Sequence, residues 1–360
     1  MKPVDELMQQ AVTSRVFPGA VLLVSRESAV VFHKAYGVAE LSTRRAVTRE
    51  TVFDLASLTK PLATALAVMM LIRRNRLGLE QQLGAVLPAF GGNEKSAITI
   101  NHLLYHNSGL PDYKPYYLNL APLPCGQRQA ALHQLLVSEP LIHSIGERVL
   151  YSDIGFMILA WLIEHIGAER LDRFVARTIY EPLGLDRLFF AGLNGPQPSY
   201  LFAATEQCPW RNRLLVGEVH DENAYVVGGV QGHAGLFGTA AAVHKLLSEL
   251  LRAYHGNPAH QLFPRDLVRL FFKRLPNTDR ALGFDMPARK NSSAGSYFST
   301  HTVGHLGFTG TSFWMDLTRS IVVVLLTNRI HPTRDNEAIK AFRPILHDEV
   351  RKGLLYRSIG

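Results

Sequence analysis

A serine and a lysine three residues apart, Ser57 and Lys60 in Ser57-Leu58-Thr59-Lys60, are the pair in this chain best spaced for nucleophilic chemistry. On a helix, residues three apart lie one turn apart on the same face, so the amine reaches the hydroxyl. A serine hydroxyl attacks an acyl carbon only when a neighbour takes its proton. A lysine whose pKa is lowered by desolvation can be that neighbour. Ser57 alone is equally what a helix N-cap looks like, so the reading depends on partners elsewhere.

Two further segments offer such partners. Tyr151-Ser152-Asp153 precedes an apolar helical run beginning near Ile154. Ser152 or Asp153 serves there as an N-cap, and Tyr151 is a phenol that ammonium groups would lower in pKa and turn into a proton shuttle. His305-Leu306-Gly307-Phe308 lies inside a Gly-rich, strand-like stretch. On a strand His305 and Gly307 face the same way, and a glycine there lets a substrate backbone come close. His106, and the cluster His220-Asp221-Glu222-Asn223-Ala224-Tyr225 with His233, read as hydrogen-bonded scaffold ahead of cleft lining or metal ligation. Arg329, after the last strand, could meet a substrate carboxylate.

These residues need elements to hold them. Pro61 fixes a helix start at Ser57 or Leu58, because proline is tolerated only in the first turn. Leu62, Ala63, Leu66, Ala67, Met69, Met70 and Ile72 make that helix apolar almost all round, hence buried. Arg73, Arg74 and Arg76 charge its last turn, and Gly78 stops it. Ala20–Ser25 and Ala29–Tyr36 read as a hairpin, with Gly37 ending the second strand. Residues 77–216 lack strong strand signals and carry helices at Gln127–Ser138, Ile154–Ile166 and Leu171–Ile179. Ala191–Pro209 reads as loop. Thr239 caps a helix to Tyr254, Thr302–Phe308, Ser312–Asp316 and Ile321–Asn328 read as strands, and a helix closes the chain from Asp335 to Lys352. Strands at both ends with helices between give an α/β (α+β) fold: an antiparallel sheet flanked by helices, residues 1–76 and 227–360, with an inserted all-helical domain at 77–226 and the active site in the cleft between them.

Composition narrows the class. The chain has 360 residues, 47% hydrophobic and 19% charged, enough for a large core. Its longest uncharged apolar runs, such as Ile321–Thr327, are strand-sized, so no membrane span is expected. The acidic start, with Asp5 and Glu6, is unlike a signal peptide. The expected location is cytoplasmic, or periplasmic or extracellular if a leader has been removed. Cys125 and Cys208 are far apart and form no metal-binding spacing. The net charge of +8 is spread out rather than interleaved with aromatics, so no nucleic-acid partner is expected. The expected partner is a small-molecule or peptide substrate, and no feature specifies an oligomeric state.

Taken in order, Ser57-Leu58-Thr59-Lys60, Tyr151-Ser152-Asp153 and His305-Leu306-Gly307 resemble the three signature boxes of the serine β-lactamase and penicillin-binding protein superfamily, closest to its class C-like branch of DD-peptidases, D-aminopeptidases and esterases. Leu103-Leu104-Tyr105-His106-Asn107-Ser108-Gly109-Leu110 and Gly229–Phe237 resemble further segments of that branch. The resemblance spans roughly residues 15–330 and implies a metal-independent serine hydrolase with no cofactor. It implies Ser57 as nucleophile, Lys60 as proton acceptor or relay, and Tyr151 as general base. The backbone N–H groups of Ser57 and Phe308 would form the oxyanion hole, with Asp153, His305 and Gly307 supporting. Two positions depart from many β-lactamases: Asp153 stands for Asn, and His305 for Lys. A carboxylate near Lys60 favours the ammonium and shifts the base role toward Tyr151. A neutral imidazole attracts a substrate carboxylate less than an ammonium does. Both departures favour an ester or a D-amino-acid peptide over a β-lactam. The rival expectation is a catalytically silent sensor of the same fold.

Overall fold

The computed structural model describes residues 1–193 and 201–355. Its frame is an eight-stranded sheet, in spatial order Arg45–Ala46, Ala29–Glu40, Gly19–Arg26, Ile321–Thr327, Ser312–Asp316, Thr302–Leu306, Phe284–Asp285 and Arg280–Ala281. Every pairing is antiparallel, and the strand nearest the start of the chain lies directly against the last one, Leu23 opposite Val324.

Alternation along these two strands explains why both are buried, all but Arg26 at the end of the first. Val21, Leu23, Val322, Val324 and Leu326 turn to one core, which they share with Leu58, Leu62, Leu66 and Met69. Ala20, Leu22, Val24, Ile321, Val323 and Leu325 turn to a second core, under the helices Lys2–Thr13 and Ile339–Leu355. A strand's period of two sends neighbours to opposite faces, and here helices cover both. The Lys2–Thr13 helix was not legible as such in the sequence; it buries only Val4, Met8 and Ala11.

The stretch opened by Ser57 is not a uniform α-helix. It runs as a 3-10 turn over Ala56–Leu58, a π-helical segment over Lys60–Ala65 and an α-helix over Leu66–Arg73, where it ends short of Arg74, Arg76 and Gly78. Pro61 has no N–H to donate back to the Ser57 carbonyl, which is the bond a regular α-turn would need there. Ala56–Arg73 is long and apolar enough to cross a bilayer, contrary to the expectation from run lengths, but 83% of it is buried inside the protein, as a core helix is.

Other differences are local. The strand from Ala29 passes through Gly37 to Glu40; Gly37 has φ +67°, and a Cβ there would meet the Pro18 carbonyl oxygen at 2.1 Å, so the glycine bends the strand rather than ending it. The segment expected to be all-helical carries helices that include Cys125–Ser138, Asp153–Gly167 and Leu171–Val175, and also three short strands, Leu188–Phe190, Ala204–Cys208 and Arg213–Val216. The first of these pairs with Leu236–Gly238, too short a partner to register as a pattern. Of the loop expected over Ala191–Pro209, residues 194–200 lie outside the described residues, and Ala204–Cys208 is strand.

Candidate active site

Ser57 is placed by the three residues before it. Phe53–Asp54 pairs with Phe237–Gly238, and Leu55 N donates to Leu236 O at 2.9 Å. The chain then turns sharply: Ala56 has φ +48°, a left-handed conformation that costs a non-glycine residue about 1 kcal/mol. The buried Asp54 carboxylate holds that turn, accepting from Ala56 N at 2.8 Å with one oxygen and from His220 N at 2.7 Å with the other. Thr59 Oγ1 closes it, donating to Ala56 O at 2.6 Å and accepting from Leu236 N at 3.1 Å.

Lys60 is fully buried, at 0% exposure. Its Nζ donates to Ser57 Oγ at 3.0 Å and to His233 O at 3.4 Å, and it forms an ion pair with Asp153 Oδ1 at 2.7 Å. These oxygens, with the Tyr151 hydroxyl as a further side-chain partner, surround the donors of an ammonium. Burial alone would pull its pKa down, but Asp153 and Tyr151 outweigh burial and raise it. The desolvated, neutral lysine is therefore not the resting state; Asp153 leads the groups that raise it, as a carboxylate in place of Asn implied.

Tyr151 stands over this ammonium. Lys60 Nζ lies 4.6 Å from its ring centroid, and the Arg280 guanidinium lies 5.3 Å from it. His106 packs against it at 4.6 Å between centroids, and His305 at 5.9 Å. The expected lowering of the phenol does not occur: burial raises its pKa and prevails over the pull of Lys60. Ser152 caps the helix behind, its Oγ accepting from Gly155 N at 3.2 Å. His106 is structural, accepting from Ser152 N at 3.0 Å through Nδ1.

His305 is buried on its strand opposite Phe313. Burial lowers its pKa to about 4, so it is neutral at pH 7. Nδ1 lies 2.8 Å from Leu306 O, an acceptor, which assigns the ring proton to Nδ1 and leaves the buried Nε2 as an unpaired acceptor. The strand stops at Leu306, so Gly307 belongs to the following turn and not to the strand. What approaches Gly307 is protein: a Cβ there would meet Thr311 Oγ1 at 2.0 Å and Leu55 O at 2.7 Å. Thr309 Oγ1 donates to Asp54 O at 2.7 Å, and Thr311 Oγ1 to Leu55 O at 3.0 Å. These two bonds fasten the Gly307–Phe308 turn beside the turn that carries Ser57.

The remaining polar residues are scaffold. His233 Nε2 meets Asp221 Oδ1 at 2.9 Å, and His220 Nε2 meets Glu206 Oε2 at 3.0 Å. Arg334 bridges Glu206 and Glu222, each at 2.6 Å. Arg329 spends its donors on the carbonyls of Phe308, Arg334 and Asn336. Cys125 and Cys208 are free thiols. Among the described residues, no group of three or more His, Cys, Asp or Glu side chains is placed to hold a metal ion. The sequence reading missed Asp54, Arg280, Thr309 and Thr311. Asp54 alone carried a signal, as an ionisable residue inside the apolar run Val52-Phe53-Asp54-Leu55-Ala56.

A serine beside a buried lysine, on helices packed against an antiparallel sheet, defines a serine hydrolase of the β-lactamase/transpeptidase fold. The family model described as Beta-lactamase matches residues 4–345, and the chain belongs to that family. It is similar to a protein of Escherichia coli (strain K12) named provisionally as a D-alanyl-D-alanine carboxypeptidase, 30% identical over 347 residues that cover 88% of this chain and 79% of that one. A protein of the same name from Salmonella typhi is 33% identical over 350 residues, with the same coverage of 88% and 79%. In fold it is similar to EstCE1, a hydrolase with promiscuous acyltransferase activity, with TM-score 0.74, 22% identity, and 95% and 98% of the two chains covered. The octameric penicillin-binding protein homologue from Pyrococcus abyssi gives TM-score 0.73 at 20% identity, covering 96% of this chain and 77% of that one.

Proposed function

We propose that the protein cleaves D-amino-acid-containing peptides through a covalent acyl-enzyme at Ser57, without a metal ion, and acts on β-lactams only weakly. The observation that carries this reading is Lys60 Nζ held 3.0 Å from Ser57 Oγ and 2.7 Å from Asp153 Oδ1 in a buried position. A catalytically silent sensor would have no need of a buried cation aimed at a serine hydroxyl. The carboxypeptidase names of relatives at 30% and 33% identity support the peptide as substrate. A neutral His305 favours a second substrate class, uncharged carboxylic esters, because it offers no cation to a substrate carboxylate.

The protonation states support a division of roles. Ser57 Oγ bonds to the acyl carbon as its proton passes to the Tyr151 oxygen and, in the same step, the phenol's own proton leaves that oxygen for the leaving atom, so the neutral phenol never holds two protons. As the C–N or C–O bond breaks, the Tyr151 proton passes to the leaving nitrogen or oxygen, so the phenol acts as base and acid in one relay. Lys60 stays an ammonium throughout and orients Ser57 Oγ. The Ser57 and Phe308 N–H groups receive the oxyanion. Water then reverses the relay and frees the acid. Incubation with a fluorophosphonate and with a fluorescent penicillin, followed by peptide mass spectrometry, tests this: an adduct is expected on Ser57. A panel of D-alanyl-D-alanine peptides, p-nitrophenyl esters and nitrocefin ranks the substrates. Ser57→Ala abolishes turnover, and EDTA leaves it unchanged. A folded protein that forms no Ser57 adduct with either reagent refutes the proposal.

A further inference from the structure

Arg343 lies on the C-terminal helix Ile339–Leu355, far in sequence from every residue of the site. It is only 5% exposed and, among the described residues, forms no ion pair. Its Nη2 donates instead to two neutral carbonyls, Gly307 O at 3.2 Å and Thr311 O at 2.8 Å. Burial and the neighbouring Arg329 pull its pKa down to about 9, so it is still a cation at pH 7. A buried charge compensated only by carbonyl dipoles is costly to the fold, and a neutral donor would brace the turn without that cost.

The position of those carbonyls suggests what the charge does. Gly307 O and Phe308 N–H belong to one planar peptide unit. A cation hydrogen-bonded to the carbonyl end draws electrons from the amide and strengthens its N–H as a donor. Thr311 O, the other acceptor of Arg343, also accepts Gly307 N–H at 2.7 Å, so the guanidinium braces the preceding Leu306–Gly307 peptide as well. Arg329 Nε holds the next carbonyl, Phe308 O, at 2.9 Å. We infer that Arg343 is a positioning residue for the oxyanion hole, fixing and polarising the Gly307–Phe308 peptide from behind. This rests on the proposed role of the Phe308 N–H as oxyanion donor.

The test compares wild type with Arg343→Met, which keeps volume but has no donor or charge, and Arg343→Lys, which keeps the charge. Circular dichroism and thermal unfolding establish folding. Acylation of Ser57 by p-nitrophenyl acetate is expected to slow about tenfold in Arg343→Met, with KM within about twofold and partial recovery in Arg343→Lys, a smaller loss than deleting a donor outright. In protein labelled with 15N-phenylalanine, the Phe308 amide proton is expected to move upfield in Arg343→Met. Should Arg343→Met not fold, Arg343→Gln, which keeps an N–H donor without the charge, takes its place. A folded neutral variant with wild-type acylation and an unmoved Phe308 resonance overturns the inference. If wild type forms no acyl-enzyme, the proposed function fails instead, and the Phe308 resonance alone decides whether Arg343 polarises that peptide.

Discussion

Asp153 Oδ1 lies 2.7 Å from Lys60 Nζ, and this contact sets the charge state of the site. Burial acts against the ammonium, while Asp153 and Tyr151 act for it and win. Asp153→Asn removes one of the two and lets burial count for more, so the Lys60 pKa falls. In the proposed relay the working form has Lys60 protonated, and activity is lost as pH rises through the Lys60 pKa. The basic limb of the kcat/KM profile therefore moves to lower pH in Asp153→Asn. A gain of activity at neutral pH instead would make neutral Lys60 the base.

His305→Lys places an ammonium where a neutral imidazole stands. Its effect separates substrates by charge. Acylation by benzylpenicillin, which carries a carboxylate, is expected to accelerate about tenfold, in line with about 1.4 kcal/mol from one partly buried ion pair. Hydrolysis of an uncharged p-nitrophenyl ester changes little. Equal effects on both substrates would show that position 305 does not face the acid group.

Asp54→Asn keeps the shape of the side chain but leaves one carbonyl oxygen for two N–H groups, those of Ala56 and His220. One buried donor is left unpaired, a loss of about 1–3 kcal/mol. The turn before Ser57 relaxes with it. A fall in Tm together with at least tenfold slower acylation is expected; a variant with wild-type kcat would show that the Ala56 conformation needs no such support.

Acid should weaken the fold before it reaches the carboxylates. Burial lowers the pKa of His133, His244, His305 and His347 to about 4 each, and that of His106 well below its ordinary value. An unfolded histidine binds its proton near pH 6.5, while folded His133, His244, His305 and His347 do not until about pH 4. Between those values the unfolded state holds more protons, so stability falls as pH falls. Thermal melts at pH 7 and pH 5 are expected to differ by on the order of 5 °C or more for a domain of this size. A flat profile between them would contradict the burial of these rings.

Much of this was legible in local patterns. The hairpin, the three late strands and the Thr239-capped helix carry their own periodicity and turn residues, and Pro61 marked a helix start correctly. The pairing of Ser57 with Lys60 followed from spacing alone. What was hidden depends on long-range contact: Thr309 and Thr311 act on carbonyls more than 250 residues earlier in the chain. The sign of the Tyr151 shift was hidden for a related reason, because it is set by how far burial and charge offset each other in the folded site. The π-helical turn after Lys60 gave no compositional sign beyond Pro61.

The strand Ile321–Thr327 lies between the first hairpin and the strands that lead to His305, and among the described residues no other strand pairs across those two halves of the sheet. A ribosome releases the hairpin and the Ser57 turn long before this strand exists. The nascent chain therefore carries an open β-edge with no partner until Ile321–Thr327 has emerged, and the unfinished sheet must be kept from pairing with others until then.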